Sequence, residues 1–382
     1  MLTRTQIARA TAAALRGADL AALPAVLGFD GFVDDIIEVV DKRHAHDRYD
    51  RLSTLALFGR KVSAAAGHSC NVELVVTRQK LGGNGPIMGN ALALLGVPTT
   101  YIGAVGDGAG GAAAGGAAGG IHPVFAEFAA RARLIAITPP AHTHALEFLD
   151  GKLMLGDLGP LAHVTWRRLL EVVPLDRLIA LVDAAALVGA VNWTMLPHLT
   201  DIWMHIGAEV FPKVSARPRR MFVDLADPEK RSAADLRAAL AVLKGLNRQI
   251  PVTLGLNLSE AHQVTGALGL AGTGEGMVRE LAVEIRRGLE LDTVVIHPRE
   301  GAAAATADAS ADFAGPFVQN PKISTGAGDH FNAGFAAAQL LKLPLENALC
   351  LATATSGYYV RNAASPTAAQ LAEFLENLPD PQ

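Results

Sequence analysis

Cysteine is almost absent from the 382-residue chain, which has only Cys70 and Cys350. They lie far apart, among apolar or small residues and in no metal-ligand spacing, so structural filling is expected of both rather than redox or metal chemistry. Long apolar runs are also missing. Arg4, Arg9, Arg16 and Asp19 interrupt the first 27 residues, which therefore do not read as a signal peptide. No later window reaches the roughly 20 uninterrupted apolar residues of a spanning helix. A cytoplasmic protein without a membrane partner is expected. Charge of one sign is not in excess: the formal net charge is -4, and acidic and basic residues are interspersed, so no basic stripe awaits nucleic acid. There is no Gly-x-x-x-x-Gly-Lys-Ser/Thr run and no Gly-x-Ser-x-Gly elbow, which argues against a P-loop enzyme and against a serine hydrolase.

Half of the residues are apolar, enough for one large core with a small appendage, and a single domain over 1–382 is expected. Thr5 to Leu15 reads as a surface helix, and Ala25 to Phe29 as a short buried strand. Thr99 to Val105, Leu134 to Thr138, Ala186 to Val191, Met221 to Leu225, Thr253 to Leu256 and Thr293 to His297 are further strand candidates with helical runs between them. Such alternation predicts an α/β fold, a mostly parallel central sheet with helices on both faces, whose ligands bind beyond the carboxyl ends of the strands. Ile36 to Val40, Val72 to Val76 and the hairpin pattern Leu146 to Leu155, which turns at Asp150-Gly151, suit strands outside that sheet. The Gly/Ala stretch from Gly106 to Gly120 has no amphipathic period and reads as a loop. Residues 141–220 carry no pattern with a known chemistry.

The most telling segment is Ser324-Thr325-Gly326-Ala327-Gly328-Asp329, which runs into the helical pattern Phe331 to Leu341. Backbone N–H groups at a helix start are unpaired and favour negative charge, so Gly326, Ala327 and Gly328 can hold phosphoryl oxygens without side chains. A carboxylate there would repel a phosphate if binding were the only task. Asp329 instead suits a base that takes the proton of an attacking hydroxyl. The plain structural alternative is a tight turn with Asp329 as helix cap.

Thr325-Gly326-Ala327-Gly328-Asp329-His330-Phe331-Asn332-Ala333-Gly334-Phe335 resembles the C-terminal signature of the ribokinase-like, or PfkB-type, carbohydrate kinases. The resemblance implies a three-layer α/β sandwich with a small β lid over the sugar, and the outlying strands near 35–44, 71–81 and 146–156 suit that lid. Leu81-Gly82-Gly83-Asn84-Gly85-Pro86 looks like the family's N-terminal glycine motif, implying substrate contacts from Gly82, Gly83 and Asn84. Its continuation Ile87-Met88 is closer to the ADP-dependent sugar kinases of the same superfamily. Gly28-Phe29-Asp30-Gly31-Phe32-Val33-Asp34 stands where the family grips substrate hydroxyls, with Asp34 the best match and Asp30 beside it. Asn257-Leu258-Ser259-Glu260 resembles the Asn-x-x-Glu motif, which implies that Glu260 places Mg2+ through water; a capping box is the structural alternative.

On the nucleotide side the resemblance implicates Thr325, Asn257, Gly301, Asn332 and Asn362, with Tyr358, Arg361, Ala364 and Pro366 near a purine. Pro298 and Ile323 depart from the usual residues there. The expected reaction is transfer of a nucleotide's terminal phosphoryl group to a hydroxyl of a sugar-like small molecule, with ATP as donor, ADP as the alternative, and Mg2+ as cofactor. Exposed lid strands offer a surface for a homodimer. A non-catalytic sugar or nucleotide sensor on the same fold is the alternative function. Gly106-Asp107-Gly108-Ala109-Gly110-Gly111 also fits Gly-x-Gly-x-x-Gly, but lacks the amphipathic helix an NAD(P)-dependent oxidoreductase needs after it. The His44/His46 and His142/His144 pairs read as surface or substrate-contact histidines rather than metal ligands.

Overall fold

The computed structural model describes residues 2–107, 120–271 and 277–382, so the loop expected at 106–120 lies largely outside the described residues. Its strands are β1 Ala25–Phe29, β2 Phe32–Ala45, β3 Arg48–Arg51, β4 Leu74–Gly82, β5 Thr99–Gly103, β6 Arg133–Ala136, β7 Ala141–Phe148 and β8 Gly151–Asp157. They continue with β9 Leu187–Ala190, β10 Arg220–Asp224, β11 Val252–Leu256, β12 Thr293–Ile296, β13 Gly301–Ala305 and β14 Ser310–Ala314. A nine-stranded sheet runs β14-β13-β12-β11-β10-β9-β1-β5-β6. Neighbours from β6 to β12 are parallel, whereas β13 and β14 form an antiparallel hairpin on one edge.

The sheet is parallel and central because its strands are apolar without alternation. Every residue of β1, β9, β11 and β12 is buried, which requires cover on both faces. Alternate side chains then feed two separate cores. Val26, Val188, Met221 and Val223 join Trp193 and Trp203 in one layer. Leu27, Leu187 and Phe222 join Met88, Phe335 and Leu349 in the other. This is the mostly parallel, helix-covered α/β sheet that the sequence predicts.

A second, five-stranded sheet is built around the long strand β2. Its first half pairs with β4 on one side and with β7 on the other, its far end pairs with β3, and β8 closes the hairpin with β7. Ile37, Val39, Leu52, Leu146 and Phe148 bury a small core of their own under helix Leu55–Ala64, through Leu55 and Phe58.

The β13–β14 hairpin was not expected. Gly-Ala-Ala-Ala-Ala has little β propensity, and burial of Ala302 to Ala305 against helix Val278–Leu289 and helix Leu345–Asn362 supplies what the residues lack. The cysteine expectation needs correcting for one residue: Cys350 is buried, but Cys70 is exposed and fills nothing.

Candidate active site

The carboxyl ends of β1, β10, β11 and β12 and the starts of two helices meet at one edge of the main sheet. Asp329 lies in the first turn of helix Ala327–Leu340 and is buried. Gly326 precedes that helix at φ +88°, in the left-handed region a side chain disfavours, with Tyr359 and Ile87 close around it. Asn84 opens the other helix, Asn84–Leu94, and its Nδ2 donates to Asp329 Oδ1 at 2.9 Å. The two glycine motifs, 245 residues apart, are thus joined by one hydrogen bond.

Desolvation is the first cause that raises the Asp329 carboxyl well above the usual carboxylate range, and the Asp224, Asp30 and Glu260 charges add to it. The hydrogen bond from Asn84 opposes the shift. Asp34 is half-buried on β2 beside Gly82, the residue opposite Phe32. Its carboxyl is raised by desolvation and lowered by the Thr143 hydroxyl and the nearby Lys80 and Lys152.

Asp30 occupies a different environment from the one expected. It is 0% exposed, and its carboxylate accepts from Asn84 N, Gly85 N, the Asn192 amide and the Tyr101 hydroxyl at 2.9, 2.9, 2.7 and 3.1 Å. Those donors come from the chain itself, and through two of them Asp30 holds the Gly83–Gly85 turn. Asn332 is likewise turned inward, its amide donating to Asp224 Oδ2 at 2.9 Å. Asn362 donates to the Tyr358 carbonyl at 2.9 Å and stays on its own helix. Arg361 ties that helix to the Pro316 and Phe317 carbonyls. Gly301 opens β13, after the turn at Arg299 and Glu300 that follows Pro298.

Asn257 and Glu260 form the capping box: Glu260 N donates to Asn257 Oδ1 at 2.9 Å and Asn257 N to Glu260 Oε2 at 2.8 Å. Asp227 N donates to the other oxygen, Glu260 Oε1, at 2.9 Å. Thr325 carries two contacts, its hydroxyl accepting from Lys152 Nζ at 3.3 Å and its carbonyl from the Tyr359 hydroxyl at 2.9 Å. The Tyr359 ring stacks on His330 at 3.7 Å, and His330 Nδ1 and Nε2 lie 2.7 Å from the Gly326 carbonyl and the Ser365 hydroxyl.

Sequence reasoning missed Asp224, at the carboxyl end of β10. Its Oδ1 is buried without a hydrogen-bond partner, and desolvation, helped by the Glu260 charge, pushes its carboxyl up to about 8. An aspartate closing a buried parallel strand was a readable signal. Asn192, Tyr101 and Lys152 were missed as well, and nothing local marked them. The histidine pairs stay outside this cluster: His44 pairs with Asp50, while His142 and His144 both face Asp35 Oδ2, at 3.3 and 3.1 Å. Asp35 follows Asp34 on β2 and so points to the opposite face of the second sheet.

A parallel sheet flanked by helices, with a glycine-bounded helix start at the carboxyl ends of its strands, defines a sugar kinase of the ribokinase-like, PfkB type. The chain matches the family described as prokaryotic ketohexokinase over residues 4–378, and it belongs to that family. A protein of Haloferax volcanii named ketohexokinase is 29% identical over 351 residues, which cover 91% of this chain and 90% of the relative. Among solved structures, a carbohydrate kinase from Agrobacterium tumefaciens has TM-score 0.61 at 18% identity, covering 94% of this chain and 98% of that one. An Arabidopsis thaliana ribokinase complexed with ribose and ATP has TM-score 0.60 at 16% identity, covering 93% and 99%. At such identity the structural likeness is one of fold. The chain is thus a carbohydrate kinase that uses a sugar and a nucleotide, and among the described residues no helix is long and apolar enough to cross a membrane.

Proposed function

We propose that the protein transfers the terminal phosphoryl group of ATP to a hydroxyl of a ketohexose, with Asp329 as the base. The observation that carries this reading is the buried Asp329 carboxylate in the first turn of a helix whose entry is Gly326-Ala327-Gly328. The acceptor hydroxyl loses its proton to Asp329 as its oxygen bonds to phosphorus and the bond from phosphorus to the nucleotide oxygen breaks. Burial that raises the proton affinity of Asp329 makes it a stronger base. The Gly326 and Gly328 backbone N–H groups face the charge that builds on the phosphoryl oxygens, whereas Ala327 N, expected to join them, donates to the Ser324 carbonyl at 3.1 Å. The acceptor class is taken from the family and from the name of the Haloferax relative.

Asp34, Gly82, Gly83 and Asn84 form the acceptor side, and the second sheet acts as the lid above it. Asp30 supports that side from behind. The nucleotide lies towards Thr325, Asn257, Gly301 and Asn362, while Asn332 serves by orienting Asp224.

Mg2+ fits the oxygen set of Asp224 and Glu260. The partnerless Asp224 Oδ1 is an acceptor waiting for a cation, and a divalent ion there would favour the ionised form of a carboxyl that burial has pushed up. Among the described residues no group of three or more His, Cys, Asp or Glu could hold a metal by itself, which suits an ion that keeps waters and phosphate oxygens. When bound, Mg2+ would neutralise charge on the nucleotide phosphates. Pairing of two copies along β4 and β8 would cover the exposed Leu74, Val76, Leu153 and Leu155, which light scattering of the purified protein would detect as a dimer.

The test is Asp329→Asn assayed with D-fructose, other ketoses and aldoses against ATP and ADP. Expected is a folded protein that binds nucleotide but loses on the order of 100-fold or more in kcat. Near-normal kcat in the folded variant would refute Asp329 as base, and no transfer to any acceptor by the wild type would refute the kinase reading.

A further inference from the structure

The site is crowded with carboxylates. Asp329, Asp224, Asp30 and Glu260 are all buried, and the charges that bear on Asp329 are those of the other three. The nucleotide and the transferring phosphoryl group would bring more negative charge. Two cations bear on the acceptor side, Lys80 and Lys152, both on the second sheet and both lowering the Asp34 carboxyl. Lys152 reaches furthest: it lies opposite Glu147 in the β7–β8 register, yet its Nζ donates to Thr325 Oγ1 at 3.3 Å, across 173 residues of chain. Thr325 immediately precedes Gly326, so the ammonium stands at the rim of the anion hole while its backbone belongs to the other sheet.

Resting on the kinase reading above, we propose that Lys152 is a catalytic residue, the cation that the second sheet delivers to the transferring phosphoryl group. In the free protein the ammonium hydrogen-bonds the Thr325 hydroxyl; with substrates bound it donates to a phosphoryl oxygen instead. It remains protonated throughout: the acceptor proton passes to Asp329, phosphorus exchanges its nucleotide oxygen for the acceptor oxygen, and Lys152 balances charge without entering the proton count. Lys152 is exposed in the free protein, and its ammonium acts by standing where charge builds on the transferring group. The arrangement makes transfer depend on the lid, since the cation arrives only with the second sheet in place.

The experiment compares wild type with Lys152→Met, Lys152→Arg and Thr325→Val in steady-state assays with MgATP and D-fructose. Lys152→Met is expected to lose roughly 100-fold in kcat, with the ATP KM within a few-fold of wild type, and Lys152→Arg to recover much of the loss. Thr325→Val removes the tether but keeps the ammonium; because Thr325 also borders the nucleotide, its effect should appear in the ATP KM, with kcat falling far less than in Lys152→Met. Ethylammonium added to Lys152→Ala should restore part of the lost turnover, which a purely structural lysine would not allow.

Wild-type kcat in Lys152→Met, or an equal loss in Thr325→Val and Lys152→Met, overturns the role of Lys152 while leaving the kinase reading intact. Absence of transfer by the wild type to every sugar in the acceptor panel overturns the kinase reading, and this role with it.

Discussion

Asp30, Asp34 and Asp329 share a side chain but not a task. Asp329 was legible because the glycines before it announce an anion site and a carboxylate inside one needs a reason. Asp34 and Asp30 sit in one short motif, and nothing local separates them. The difference is set by Tyr101 and Asn192, 71 and 162 residues further along the chain, which supply donors to Asp30. Such contacts exist only after β5 and β9 have flanked β1. A consequence can be measured. Asp30→Ala would leave two backbone N–H groups and an amide in the interior without their acceptor, at about 1–3 kcal/mol for each that finds no water, while the Tyr101 hydroxyl keeps the Asp30 carbonyl at 2.6 Å. Denaturant unfolding should therefore show a loss of at least about 3 kcal/mol, whereas Asp34→Ala, at a half-buried position, should leave stability nearly unchanged and raise the KM for the acceptor. Equal stability of the two variants would contradict the separation of roles.

Helix Ala327–Leu340 carries the base at its start and owes its position to the rest of its length. Phe331, Ala333, Phe335, Ala336 and Ala337 are all buried, so the helix is enclosed, and its small residues let helix Leu345–Asn362 lie close. Gly334 marks the closest approach: a Cβ there would stand 2.5 Å from Thr355 Oγ1 and 2.8 Å from the backbone Ala352 Cα. Because one of those atoms is backbone, the helices must part for any larger residue. Gly334→Ala should cost about 1–3 kcal/mol as overpacking, and the tilt passed to Asp329 should lower kcat further than the stability loss explains, as read from turnover at a temperature where the variant is fully folded. An unshifted unfolding midpoint would show that the two helices yield freely. The helical period was readable here, as were the buried strands. The β13–β14 edge was not, since alanines carry no strand preference and only the covering helices make one of them.

Stability of the whole molecule should carry the signature of its acidic site. Asp224, Asp30, Glu260 and Asp329 all have carboxyls raised above their ordinary values, desolvation being the first cause in each. The folded protein therefore holds protons that the unfolded chain has released, and unfolding is disfavoured most at low pH. This contribution is fully present below the unfolded carboxyl values near 4 and is lost as pH rises through the folded ones, for Asp224 up to about 8. The direction is opposite to that of a salt-bridged surface carboxylate such as Glu73 beside Arg43, whose carboxyl is lowered. In metal-free buffer the thermal midpoint should fall between about pH 5 and pH 8, by several degrees at this chain length. Asp224→Asn removes one of the titrating groups and keeps its shape, so its midpoint should fall less over the same range. Mg2+ should raise the wild-type midpoint most at the alkaline end, where the carboxylates are ionised and repel one another. A midpoint that rises across that range, or an Asp224→Asn variant as steep as the wild type, would mean that the buried carboxyls are already compensated in the free protein and that the site was not built to await a cation.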